Sequence, residues 1–196
     1  MKLYYSPGAC SLADHIALHE AGFDFEHERV DLKSKRTEGG GDFRAVNPKG
    51  YVPALRLDSG EVLTENVAVL DWIADQSATL KPEGPLGRTR QTEALAYIGG
   101  EVHKAFAPMF KGGSDEEKEA AKRQVAQKLE LVAGTMKGPY LFGERPGVAD
   151  FYLFVMLTWA TKMGIAMPEP LVAMRDRLME RESVRTAMAH EGLLKV

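Results

Sequence analysis

The chain changes its hydrophobic rhythm once. Its first third sets short apolar runs that alternate in steps of two between stretches that repeat every three or four residues, and from Leu95 onward only the helical repeat remains. Lys2 to Tyr5 reads as a first strand, broken by Pro7 and Gly8. Ser11 with Asp14 makes a capping-box pattern ahead of Ile16, Leu18, Ala21 and Gly22, so a first helix is expected to end at Gly22. Phe25 to Val30 alternates as a second strand, and Lys33 to Asp42, polar and carrying Gly39, Gly40 and Gly41, reads as loop. Val52 to Leu57 and Val62 to Leu63 flank the turn Asp58-Ser59-Gly60 as a hairpin. Thr64 and Glu65 then open a helix with Val67, Leu70, Ile73 and Ala74 at helical spacing.

Alternating strands and helices predict an α/β domain over residues 1–77. Pro82, Gly84, Pro85 and Gly87 mark 78–87 as a linker, and the remainder, 88–196, is expected to be all-helical. In that half Leu95, Ile98, Val102, Phe106 and Met109 trace one helix, and Val125, Leu129, Val132 and Met136 a second. Pro139 to Pro146 reads as a loop, followed by a strongly apolar helix from Val148 to Met163 and further pieces at Leu171–Arg181 and Val184–His190.

Composition narrows the classes. Of 196 residues 28 are acidic and 25 basic, a balance that argues against nucleic-acid binding. The apolar stretch Val148 to Leu157 contains Asp150 and is too short for a bilayer, so no membrane association is expected. The N-terminus leaves no room for the apolar core of a secretion signal, and a lone cysteine suits a reducing compartment, which points to the cytoplasm.

Chemistry concentrates at a few positions. Cys10 stands at the start of the first predicted helix, where free N–H groups and the helix dipole favour a thiolate, while a lone cysteine is more often a small buried hydrophobe. Ala13 occupies the place of a second cysteine, which excludes an internal disulfide cycle. A cis bond at Val52-Pro53 is expected to turn the Val52 main chain toward a groove where it can pair with an extended peptide backbone. Glu65 and Asn66 sit at a helix start suited to a ligand carboxylate and ammonium. Gly39 to Gly41 lack the Lys and Ser or Thr of a phosphate loop. His15 and His19 lie one turn apart but have no further ligands nearby in sequence, so no metal is expected.

The order of these features, with Tyr5-Ser6-Pro7-Gly8-Ala9-Cys10-Ser11-Leu12, Gly50-Tyr51-Val52-Pro53-Ala54-Leu55, Leu63-Thr64-Glu65-Asn66 and Glu101-Val102-His103-Lys104-Ala105-Phe106-Ala107-Pro108-Met109-Phe110, resembles the glutathione transferase superfamily, in particular its bacterial beta class. The resemblance spans nearly the whole chain. It implies a thioredoxin-like α/β N-terminal domain, an all-α C-terminal domain, a homodimer, and glutathione as co-substrate for attack on a small hydrophobic electrophile. It implies catalytic roles for Cys10 and His103, and glutathione contacts from Tyr5, Ala9, Cys10, Lys35, Tyr51, Val52, Pro53, Glu65, Asn66, His103 and Lys104. Phe106, Phe110, Tyr152 and Trp159 would form the apolar substrate wall. Two other readings stay open: a glutathione-dependent thiol-disulfide oxidoreductase or reductive dehalogenase working through Cys10, and a non-catalytic ligand-carrying or interaction module. Two positions depart from the pattern. Gly147 stands where relatives place Ser or Thr to cap the helix of Asp150, and Ala96 stands where they often place Asn.

Overall fold

The computed structural model describes residues 1–194; residues 195 and 196, which end the expected helical domain, lie outside it. The chain divides into two compact units, one formed by Met1–Pro82 together with the chain from Arg181 onward, the other by Glu83–Glu180.

In the first unit β1 (Lys2–Tyr5), β2 (Glu26–Asp31), β3 (Arg36–Thr37), β4 (Ala54–Arg56) and β5 (Val62–Thr64) form one sheet in the order β3-β2-β1-β4-β5. β1 and β2 are parallel, with Tyr5 opposite Arg29, and a parallel pair needs a crossover, here α1 (Leu12–Glu20). β4 runs antiparallel to both neighbours, Tyr4 opposite Ala54 and Leu55 opposite Leu63. α2 (Asn66–Gln76) follows β5 and packs on α1. β3 lies inside the segment read as loop. Arg36 and Thr37 carry no apolar alternation, and only their pairing with Asp31 and Val30 makes them a strand.

Strand alternation sends the two tyrosines of β1 to opposite faces. Tyr4 meets Phe43, centroids 5.7 Å apart, in an apolar cluster with Val30, Val52 and Ala54. Tyr5 faces α1, its ring 5.4 Å from that of His15. Ser11 does not form the expected capping box. Its backbone is already helical and its hydroxyl accepts from the Ser6 N–H at 3.2 Å, while Asp14 turns inward and is buried. At the other end the Phe23 N–H bonds to Leu18 O and the Gly22 N–H to His19 O, a Schellman pattern that uses the φ of +71° at Gly22.

The last helix, α9 (Glu182–His190), packs on α1 and belongs to the first unit, whereas periodicity alone places it with the helical half. Its hold is polar as well as apolar. Arg181 pairs with Glu20, the Ser183 hydroxyl donates to Glu20 at 2.5 Å, and Glu191 accepts from the Gly8 N–H at 2.8 Å. Sequence separations of more than 160 residues leave no local signal for such contacts.

The second unit is helical throughout. α3 (Gly87–Tyr97) passes through a π-helical turn, Ile98–Val102, into the short α4 (His103–Ala105) and α5 (Ala107–Phe110), followed by α6 (Asp115–Thr135), α7 (Val148–Lys162) and α8 (Glu169–Met179). The single helix expected over Leu95–Met109 is therefore broken: Gly99 and Gly100 sit in the π turn and Pro108 in the first turn of α5, where its missing N–H costs no helical bond. α6 opens on a full capping box between Ser114 and Glu117. α7 is buried at every position from Val148 to Leu157 and packs on α3 and α8. Asp150, fully buried, accepts from the N–H groups of Leu141 and Gly147, both at 2.8 Å. Gly147 has no side chain with which to return a bond, so half a capping box remains. Among the described residues no helix is long and apolar enough to cross a membrane.

Candidate functional site

Two groups of the sequence-selected residues assemble, one in each unit. In the first unit the chain turns at Pro7 and at Gly8, whose φ of +69° favours glycine, and delivers Cys10 just ahead of α1. Cys10 Sγ donates to Val52 O at 3.6 Å, and the Cys10 carbonyl accepts from Asn66 Nδ2 at 3.0 Å. The Val52–Pro53 bond is cis. Lys35 Nζ donates to Gly50 O at 2.9 Å and lies 5.2 Å from the centre of the Tyr51 ring, which is exposed. Ala9 packs against the cluster that contains Val52. Cys10, Val52, Asn66 and, one residue before it, Glu65 thus form one connected stretch, with Gly50, Tyr51 and Lys35 adjoining.

Glu65 precedes α2 with φ +73° and ψ 122°, a conformation that a residue with a side chain adopts only under local constraint. Its carboxylate extends outward and pairs with Lys49 at 2.6 Å. The first helical bond of α2 runs from the Val69 N–H to Glu65 O, which leaves the N–H groups of Asn66, Val67 and Ala68 without a helical acceptor. The Asn66 side chain does not share that freedom. Its amide donates to Cys10 O and to Asp14 Oδ2 at 3.1 Å, so the main-chain N–H rather than the side-chain amide is placed to take a carboxylate.

Its place at the helix start favours a thiolate at Cys10, but the fold leaves the residue only partly exposed, with its sulfur on Val52 O. Burial, reinforced by the nearby Asp14, pushes the thiol up to about 12. The physical reason lies in the turn: the N–H groups of Leu12 and Ala13 are spent on Ala9 O and Cys10 O, so only those of Cys10 and Ser11 favour the anion, and they do not offset desolvation. Asp14 is itself held well above the usual carboxylate range by burial.

In the second unit His103 Nδ1 shares a hydrogen bond of 2.8 Å with the Tyr152 hydroxyl, and its ring meets Trp159 edge-on at 5.0 Å. Burial lowers the His103 pKa, so the imidazole is neutral at pH 7. Trp159 also contacts Phe106 at 5.4 Å and Phe110 at 4.8 Å, so His103 and the four aromatic wall residues form one cluster, of which Phe110 is the exposed edge. Lys104 lies exposed on α4.

Tyr5 is the selected residue that the structure places elsewhere. Its ring sits on His15 and His27 and its hydroxyl approaches His190 O at 3.5 Å, on the face of the sheet away from Tyr4 and Val52. Two residues that sequence reasoning missed support the Cys10 turn: Asp14, which holds Asn66, and Glu191, which anchors Gly8. Asp14 carried a signal as an acid on an apolar helix face; Glu191 carried none.

Comparison with known proteins accords with this geometry. Residues 9–76 match the family model described as Glutathione S-transferase, N-terminal domain, and residues 97–182 match Glutathione S-transferase, C-terminal domain. Glutathione S-transferase GstA of Escherichia coli O157:H7 is 44% identical over 200 residues, covering 98% of this chain and 100% of that protein. Among solved structures, a bacterial beta class glutathione S-transferase of Sphingomonas chungbukensis superposes with a TM-score of 0.92 at 47% identity, over 99% of this chain and 100% of that one. A sphingomonad glutathione S-transferase complexed with glutathione matches with the same TM-score, identity and coverage. The chain therefore belongs to the glutathione S-transferase family, with a thioredoxin-like N-terminal fold and a helical C-terminal fold, and is similar to the bacterial beta class.

Proposed function

We propose that this chain catalyses attack of the glutathione thiol on small hydrophobic electrophiles, with glutathione held on the first unit. In this reading the Val52 main chain pairs with the cysteinyl backbone of glutathione, beside Pro53, Ala9 and Tyr51. The N–H groups at the start of α2 take the γ-glutamyl carboxylate and Glu65 takes its ammonium, while Lys35 approaches the glycyl end. Tyr5 supports the fold instead of touching glutathione. His103, neutral and fixed by Tyr152, is the polar group of an apolar wall made by Phe106, Phe110 and Trp159, with Lys104 at its margin. In the reaction the glutathione thiol loses its proton, its sulfur forms a bond to the electrophilic carbon, and the leaving group departs with its electron pair.

The observation that carries the choice between conjugation and chemistry at Cys10 is the half-buried Cys10 thiol donating to Val52 O, with desolvation disfavouring its anion. A protonated thiol is a poor nucleophile but a serviceable hydrogen-bond donor toward a glutathione thiolate. A homodimer accompanies this reading. It is supported by the resemblance and by an apolar groove of about 680 Å³ between α3 and α6, lined by Ala94, Ile98 and the exposed Leu131 and Phe142. A cytoplasmic location fits the thiol chemistry of the site. The test is conjugation of glutathione to a chlorodinitrobenzene by wild type and Cys10→Ala. Retained turnover in Cys10→Ala supports the reading, and loss to the uncatalysed rate overturns it in favour of a Cys10 nucleophile.

A further inference from the structure

Four of the five histidines of this chain, at positions 15, 19, 27 and 190, gather at one place in the first unit. They come from three elements: His15 and His19 from α1, His27 from β2 and His190 from the end of α9. The rings of His27 and His190 stack with centroids 4.8 Å apart, and His15 lies 5.1 Å from His27 and 5.6 Å from His190. One ring nitrogen from each of His15, His27 and His190 lies within 4.8 Å of the others.

Packing alone accounts poorly for this cluster. His15 is wholly buried, its Nε2 has no hydrogen-bond partner, and the Nε2 of His19 beside it is likewise buried and unpartnered. Such atoms are rare in folded proteins unless a water, an ion or a ligand meets them. The other ring nitrogen of His15, Nδ1, is held by Glu191 at 3.1 Å. With the proton of that contact on Nδ1, Nε2 carries a lone pair. A carboxylate fixing one nitrogen so that the other faces a cation is the outer-shell arrangement of histidine metal ligands.

We propose that His15, His27 and His190 form a binding site for a borderline divalent transition metal of the zinc class. Three imidazoles suit zinc, copper or nickel better than calcium or magnesium, which take oxygen ligands. Zinc–nitrogen bonds of about 2.0–2.1 Å set neighbouring donors of a tetrahedral ion about 3.4 Å apart, so the three must draw together by about an ångström. His27 and His190 are exposed, so the movement falls to them, whereas His15 is buried and held by Glu191. The fourth position is left to water, with His19, ring centroids 5.2 Å from both His15 and His190, next to it. The bound ion would join α9 to β2 and α1. Through Glu191, whose second oxygen accepts from the Gly8 N–H, it would also brace the turn that carries Cys10.

The test is titration of the chelator-treated full chain with Zn2+, followed by calorimetry and by thermal unfolding, on wild type, His27→Gln and His190→Gln. Both substitutions lie on the exposed side of the cluster, so the variants retain the buried His15–Glu191 pair and should fold. The proposal predicts one saturating Zn2+ per chain in wild type, a rise in midpoint temperature with Zn2+, and binding at least about tenfold weaker with little thermal shift in each variant. Absence of saturable binding in wild type overturns it. So does binding that both variants retain undiminished, because the ion would then sit elsewhere.

Discussion

Asp150 sets two effects against each other, and its pH dependence decides which wins. Two main-chain N–H groups at 2.8 Å favour the carboxylate, while complete burial favours the neutral acid, and burial prevails: the carboxyl is pushed up to about 6 from 3.8. A rise of that size makes ionisation in the folded chain cost about 3 kcal/mol more than in the unfolded chain. Between the two values the folded state binds more protons, so this group's contribution to stability falls as the pH climbs from about 4 to about 6 and is level above that. Asp150→Asn removes the titration and turns one amide N–H₂ toward a main-chain N–H, a loss of about 1–3 kcal/mol. At pH 4 the variant should therefore be the less stable protein by that amount. By pH 7 the difference should have moved in its favour by about 3 kcal/mol. Urea unfolding in a Trp72→Phe background, where Trp159 fluorescence reports the second unit, measures both. A difference that is flat with pH, or that grows in favour of wild type, would show that the two N–H donors outweigh burial.

Other consequences follow from single residues. Gly147→Ser should complete the half-formed capping box, since φ −117° suits serine and a Cβ there meets nothing nearer than 3.8 Å; a gain of about 0.5–1 kcal/mol in urea unfolding is expected, and a loss would contradict the geometry. Glu65→Gly should relieve the positive φ at that position and raise stability by about 1 kcal/mol after the entropy cost of glycine, a result that a fall in the unfolding midpoint would refute. Cys10 should react with iodoacetamide at pH 8 far more slowly than free cysteine, because its thiol is held at about 12; alkylation at the rate of free cysteine would show a lowered value instead.

Most of the first unit was legible because its strands obey a period of two and its breakers are Pro and Gly, as at Pro7-Gly8 and Asp58-Ser59-Gly60. The connected stretch of Cys10, Val52, Glu65 and Asn66 was legible because each residue sits at a helix start or strand edge, positions with open backbone groups. What escaped depended on tertiary contact. β3 exists only by pairing with β2, and α9 shows a good helical pattern but nothing in it names α1 as its partner. His27 and His190 gave no sign in the sequence that they join His15 and His19, a grouping that only the fold supplies. The balance at Cys10 between thiolate and thiol was not legible, because position alone counts donors near the sulfur and not the water that burial removes.

Whether the first unit holds glutathione through Val52, Glu65 and the start of α2 can be measured by calorimetric titration of wild type and Glu65→Ala with glutathione. Wild type should bind one saturating glutathione per chain. The affinity should be about 10–100-fold lower in Glu65→Ala, the worth of one charge-assisted hydrogen bond. No saturable heat in wild type, or equal affinity in the two proteins, would contradict this mode of binding.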